Sequence, residues 1–295
     1  MKSVIELNGV SKIYKNKTAV DQLSLQVEEG SVLALIGPNG AGKTTTVKMM
    51  LGLTKPTSGH VKVFGQHPYE KSVRERLGAM LQETSVIDLM KTGEIIDLFR
   101  SYYKAPLSMK QLLAMSGLEE CENKLATSLS GGQKRRLSFA LALAGDPHLI
   151  FLDEPTVGMD VSSREVFWRT VSALRDQGRT IVLTTHYMDE VEAIADRVVI
   201  VNNGKSIADG TVQEIKSTTE KNSVSFTLTD QVSSEVLNSL PGVDQVNRNG
   251  NKVELFGADT DLLIFTIVRH NIPLKDLQIN KSNLEDALQL LISAS

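Results

Sequence analysis

The sequence predicts an α/β protein built on a mixed core sheet, with a small α+β unit behind it. Three observations predict this. Short apolar runs rich in β-branched residues alternate with helical stretches over the first two-thirds of the chain. One such run leads directly into a glycine-rich loop and then a helix. A polar break at residues 217–222 precedes a second, shorter series of strands and helices.

The core strands come first. Residues 32–36, 149–152, 181–184 and 198–201 are near-continuous apolar runs. Strands covered on both faces of a parallel sheet read this way. Residues 4–10 and 23–27 alternate more, which predicts an antiparallel layer beside the main sheet. Over about residues 89–129 the pattern turns helical with charged faces, a helical insertion into the core. The first domain is therefore placed at residues 1–216 and the linker at 217–222.

The remainder, residues 223–295, predicts strand 223–228, helix 231–240, strands 245–248 and 252–256, helix 261–270, strand 274–279 and helix 283–292. Asn249-Gly250-Asn251 between two alternating runs is a hairpin signal. The order βαββαβ predicts a ferredoxin-like domain. In the last helix Leu284, Ala287, Leu288 and Leu291 share a face, as an ordinary amphipathic helix requires.

Composition excludes several classes. The chain has 295 residues, 41% hydrophobic and 23% charged, with a net charge of -3. Those values fit a globular protein with a sizeable core. The absence of a basic excess argues against general nucleic-acid affinity. The one cysteine, Cys121, cannot pair within the chain, which fits a reducing compartment. The N-terminus lacks a signal-peptide pattern. No run of about 20 apolar residues occurs, so a role at a membrane would need another chain to supply the span.

Gly37-Pro38-Asn39-Gly40-Ala41-Gly42-Lys43-Thr44 fits G-x-x-x-x-G-K-[ST]. It follows an apolar strand and opens into a helical run from Thr45. Glycines let backbone N–H groups turn inward around phosphate oxygens, and the helix dipole adds to that field. Lys43 is expected to reach the β- and γ-phosphates and Thr44 to ligate Mg²⁺. Leu149-Ile150-Phe151-Leu152-Asp153-Glu154 is a buried strand ending in two acids. Asp153 is expected to hold Mg²⁺ and Glu154 to polarise the attacking water. Leu129-Ser130-Gly131-Gly132-Gln133 opens a second helix with a good cap and exposed N–H groups; taken alone it reads more often as a plain helix cap with a basic first turn, and otherwise as a second anion site. One nucleotide needs one phosphate loop, so a second donor cluster points to a site shared by two chains.

In this order the motifs resemble those of the nucleotide-binding subunits of ATP-binding cassette (ABC) transporters, over roughly residues 4–212. The resemblance implies a P-loop NTPase cassette, with residues 37–44 as its Walker A loop and residues 149–154 as its Walker B strand. Ser130, Gly131, Gly132 and Gln133 match the signature loop. Gln82 matches the Q-loop glutamine, which senses Mg²⁺ or the lytic water. Val157-Gly158-Met159-Asp160 looks like the D-loop, with Met159 where leucine is usual. His186 matches the switch histidine at the γ-phosphate. Tyr14 lies where the family stacks an aromatic residue on adenine. Alone, a histidine, glutamine or tyrosine is more often structural; order and spacing reverse that for His186 and Gln82.

The resemblance further implies two subunits head to tail, each ATP held by one phosphate loop and the other subunit's signature loop. It implies ATP and Mg²⁺ as cofactors and a multi-span membrane permease as partner. The chain would then be peripheral, on the cytoplasmic face of the cell membrane. Gly204-Lys205-Ser206-Ile207-Ala208-Asp209-Gly210-Thr211, the run Gln133-Lys134-Arg135-Arg136 and Asn283-Leu284-Glu285-Asp286-Ala287 look like the prokaryotic drug- and antibiotic-export branch. Two competing readings are a soluble ABC ATPase acting on nucleic acid or ribosomes, and a non-pumping nucleotide switch. The chain has one cassette and no heptad arm, against the first. Glu154 and His186 argue against the second.

Overall fold

The structure is a computed structural model and describes residues 2–82, 87–218, 222–280 and 283–295. Of the expected linker, residues 219–221 lie outside the described residues. The chain forms two compact units, one running up to Val212 and one covering Gln213–Ala294.

The first unit runs β1 (Ser3–Tyr14), β2 (Lys17–Glu28), β3 (Val32–Ile36), α1 (Lys43–Met50), β4 (Ser58–Val63), α2 (Lys71–Arg74) and β5 (Leu77–Met80). It continues with α3 (Thr92–Arg100), α4 (Met109–Ser116), α5 (Gly131–Leu143), β6 (Leu149–Asp153), α6 (Val161–Asp176), β7 (Thr180–Thr184), α7 (Met188–Ile194), β8 (Arg197–Asn202) and β9 (Lys205–Gly210). The main sheet has the order β5-β6-β7-β3-β8-β9. All its neighbours run parallel except β8 and β9. Every residue of β3, β6 and β7 is buried, which explains their unbroken apolar runs.

A separate antiparallel sheet has the order β2-β1-β4. Here β1 and β2 each run 12 residues, well beyond the alternating segments of the sequence. Their pairing carries repeated register shifts. Each bulge resets which face a side chain takes, so a two-residue period breaks while the ladder continues. The insertion holds α3 and α4, followed by single 3₁₀ turns at Glu119–Cys121 and Ala126–Ser128. Ser108 caps α4 and a left-handed Gly117 ends it.

Parallel strands bring their carboxyl ends to one edge. The chain leaves β3 into residues 37–42, β5 toward Gln82, β6 into Glu154 and β7 into Thr185 and His186. The topology thus gathers residues that are far apart in sequence.

The boundary helix α8 (Val212–Ser217) is followed by β10 (Ser223–Leu228), α9 (Ser234–Asn238), β11 (Gln245–Asn249), β12 (Lys252–Phe256), α10 (Thr260–Arg269), β13 (Leu274–Asn280) and α11 (Leu284–Ser293). The sheet order β11-β12-β10-β13, antiparallel throughout, is the ferredoxin-like arrangement. Asn249 pairs with Lys252 across the hairpin, and Gly250 takes φ +62° at its turn. Val224, Phe226, Leu237, Val253, Leu255 and Leu263 form this unit's own core. Helix α9 is shorter than residues 231–240 because Ser233 caps it late, accepting from the Val236 N–H.

Candidate functional site

The phosphate loop is shaped by close backbone contacts. Gly37 has φ +147°, and a Cβ there would lie 2.0 Å from the Val201 carbonyl oxygen. Gly42 has φ +106°, and its Cβ would lie 2.3 Å from the Ala19 carbonyl oxygen. Only glycine fits both the conformation and the space. The Ala41 N–H turns back to Pro38 O at 3.2 Å, and the Gly204 N–H donates to Ala41 O at 3.0 Å. Helix α1 starts at Lys43, two residues before the helical run in the sequence begins, because Gly42 ends the loop in a left-handed turn. No side chain caps α1. Its first N–H groups are therefore available to an anion.

Lys43 Nζ donates to Gly37 O at 2.7 Å and Pro38 O at 3.1 Å, bending back over its own loop. Burial lowers its pKa, and the charges of Glu154 and Asp153 partly restore it.

The acids sit at the end of β6. Asp153 is 1% exposed. Its Oδ1 accepts from the Thr184 hydroxyl, while its buried Oδ2 has no hydrogen-bond partner among the described residues. A buried carboxylate oxygen without a donor is costly unless a cation meets it. Glu154 has φ +50°, a strained value for a non-glycine residue. Its N–H is held by Thr184 O at 3.0 Å and Thr184 Oγ1 at 3.2 Å. Its Oε2 lies 2.7 Å from His186 Nδ1. Both residues carry expected roles, but no sequence feature indicates that they touch.

Arg135, read from the sequence only as part of a basic run, ties several loops of this site together. It is 5% exposed on α5. Its guanidinium donates to the carbonyls of Leu81 (3.0 Å), Gln82 (2.7 Å), Asp153 (3.1 Å) and Glu154. Burial lowers its pKa, opposed by Asp153 and Glu154. The available signal was its position: an arginine on the same buried face as Phe139 and Ala142.

A cleft of about 330 Å³ is lined by Tyr14, Lys17, Ala19, residues 39–45, Gln82, Asp153 and Glu154. It thus unites the phosphate loop, Gln82 and both acids. Lys17 and Ala19, where β2 begins, were not anticipated. Tyr14 is half exposed, with Lys12 Nζ 5.0 Å from its ring centre.

Of the expected site residues, Gly37 and Pro38 at the start of the loop, His186, Ser130, Gly131, Gly132 and Asp160 do not line this cleft. Ser130, Gly131 and Gly132 start α5, where Ser130 Oγ accepts from the Gln133 N–H and Gln133 Oε1 from the Ser130 N–H. Asp160 caps α6: its carboxylate accepts from Ser163 N–H at 2.8 Å, Ser162 Oγ at 2.9 Å and Ser163 Oγ at 3.0 Å. Those bonds hold its pKa down at about 2. Met159, in the leucine position, is buried. Among the described residues no group of three or more His, Cys, Asp or Glu stands ready for a metal ion. A Mg²⁺ here would take most of its ligands from phosphate and water, with few from protein.

The family profile described as ABC transporter matches residues 20–157. The chain is 39% identical over 233 residues to the daunorubicin/doxorubicin resistance ATP-binding protein DrrA of Streptomyces peucetius, covering 77% of this chain and 71% of that protein. It is 36% identical over 219 residues to the Nod factor export ATP-binding protein I of Ralstonia nicotianae, covering 72% and 68%. A solved ATP-binding cassette, dimeric in a post-hydrolysis state with ADP and Pi, matches with a TM-score of 0.65 at 26% identity, covering 70% of this chain and 98% of that one. A solved ATP-binding subunit of an ABC transporter matches with a TM-score of 0.67 at 26% identity, covering 73% and 93%.

Proposed function

The chain belongs to the ABC transporter family as an ATP-binding, ATP-hydrolysing subunit, and from that premise we propose that its cleft is half of an ATP site completed by a second subunit. The observation that carries this reading is that Ser130, Gly131 and Gly132 open a helix outside the cleft. In the proposed dimer the subunits pack head to tail. Residues 37–45 of one hold the phosphates, and Ser130, Gly131 and Gly132 of the other close over the γ-phosphate. Asp160 lies on the shared face. Tyr14 stacks on adenine.

Lys43 exchanges the carbonyls of Gly37 and Pro38 for phosphate oxygens. Thr44, Gln82 and Asp153 would hold Mg²⁺, and the unpartnered Asp153 Oδ2 fits such a cation. When bound, such a cation would offset negative charge on the phosphates. Glu154 polarises the attacking water. His186 orients that carboxylate and, with Lys43, stabilises the transferring phosphoryl group. Phosphate release then removes the anion that bridges the two subunits, and the dimer opens.

Among the described residues no helix is long and apolar enough to cross a membrane. The load is therefore assigned to a separate multi-span permease, with this chain peripheral on its cytoplasmic side. The relatives named for drug resistance and Nod factor export support export of a drug, antibiotic or similar compound. They disfavour action on nucleic acid or ribosomes. The ATPase domain is assigned to residues 1–216, and residues 223–295 form an accessory domain. Detergent extraction from the native host with affinity-tagged chain tests the assembly. A multi-span membrane protein should co-purify stoichiometrically, and purification of the chain without one would contradict it.

A further inference from the structure

We propose that Arg135 is a positioning residue that couples the two ATP sites of the dimer, tying the signature end of α5 to the catalytic loops of its own chain. The inference rests on the shared-site reading above.

Ser130 caps α5 at the end assigned to the neighbour's γ-phosphate. Arg135 follows about one and a half helical turns later on the same rigid element. It points inward and is nearly fully buried. One terminal nitrogen, Nη1, donates to Leu81 O and Gln82 O beyond β5. The other, Nη2, donates to Asp153 O and Glu154 O at the end of β6. The planar fork thus spans the exits of two adjacent strands. A lysine ammonium is a single point and cannot span them.

The residues it holds include those with chemical work. Gln82 and Asp153 face the cleft, and Glu154 takes the strained φ +50°. A strained residue persists only while its surroundings restrain it. Thr184 holds the Glu154 N–H and Arg135 holds its carbonyl. Movement of α5 therefore reaches Glu154 and Gln82 together. ATP closing on Ser130 in one site sets the water-activating group of the other. Such coupling is reciprocal in binding free energy, and because ATP in either site favours the same closed arrangement of α5 and Glu154, its sign is positive and the two sites fill cooperatively.

Arg135→Met and Arg135→Lys in the full-length chain test this. ATP turnover is measured across ATP concentration, with the affinity of dilute chain for a fluorescent ATP analogue and the melting temperature measured in parallel. The wild-type chain should give a Hill coefficient above 1. Both variants should bring it to 1 and lower kcat about tenfold, with analogue affinity within about twofold of wild type. A purely structural role would not move the Hill coefficient apart from analogue affinity. Where Arg135→Met does not fold, Arg135→Lys, which keeps charge and stem, decides by the same criteria. Wild-type kcat and cooperativity in the variants overturn the proposal. So does a fall in kcat with cooperativity intact. A non-cooperative wild type whose Glu154→Gln variant still dimerises with ATP overturns the coupling alone. A non-cooperative wild type whose Glu154→Gln variant stays monomeric overturns the shared site and the coupling with it.

Discussion

Gly42→Ala probes whether backbone contacts, and not the lysine alone, make the phosphate loop. At φ +106° an L-residue is strained, at about 1–3 kcal/mol. The new Cβ would also lie 2.3 Å from Ala19 O and 3.3 Å from Val20 Cγ2. Ordinary contact begins at 3.4 Å, so the loop must retreat by about 1 Å, a displacement that can cost about a hundredfold in rate. Ala19 sits at a register shift of β2, between Thr18 and Val20, whose pairing with Ile13 and Lys12 limits how far it can move. Overpacking adds about 1–3 kcal/mol, giving about 4 kcal/mol in all. Gly178→Ala is the control. Gly178 has φ +81°, but no described atom lies within 4 Å of its Cβ. It should lose only the strain of about 1–2 kcal/mol and keep its turnover. Urea unfolding and ATP turnover are measured on all three proteins. Gly42→Ala should unfold well before Gly178→Ala and turn over ATP about a hundredfold more slowly than wild type. Equal unfolding midpoints for the two variants, with turnover preserved in both, would refute the contact argument.

Thr184→Val removes the donor to Asp153 Oδ1 and a partner of the Glu154 N–H. It should cost about 1–3 kcal/mol in unfolding experiments and lower kcat; unchanged stability would show that Asp153 needs no protein donor. Tyr14→Ala should weaken binding of a fluorescent ATP analogue about fivefold or more while leaving tripolyphosphate binding unchanged, and a parallel loss of both would deny the stacking role. Asp160 has its folded pKa depressed to about 2, so its stabilisation is present above the unfolded value of about 3.9 and fades as pH falls through the folded one. The gap in unfolding midpoint between wild type and Asp160→Ala should therefore be full at pH 6 and shrink between pH values of about 4 and 2. A gap independent of pH would mean that charge is irrelevant to the cap.

Strands β3, β6, β7 and β8 of the main sheet were legible because they are buried and so nearly continuously apolar, as in Leu149–Asp153, whereas the four-residue β5 and the largely exposed β9 gave no such run. The phosphate loop was legible because its chemistry demands residue types at fixed spacing. The extents of β1 and β2 were not, since register shifts erase the alternation that marks a strand. The second unit's topology followed from element order and from Asn249-Gly250, which allow few sheet arrangements. Contacts between distant elements left no local trace. Nothing near His186 in sequence points to Glu154, and Arg135 looks like one more base in a basic first turn. Parallel strand order makes these groups neighbours, and it is a property of the whole chain.

Two subunits, two copies of this chain or one copy with a similar chain, are proposed to share each ATP, with Glu154 activating the water. Glu154→Gln keeps the size of the side chain and removes its basicity. With ATP and Mg²⁺ present, size-exclusion chromatography of this variant should show a dimer that persists, with turnover near background. A variant that remains monomeric and hydrolyses ATP at the wild-type rate would contradict the account.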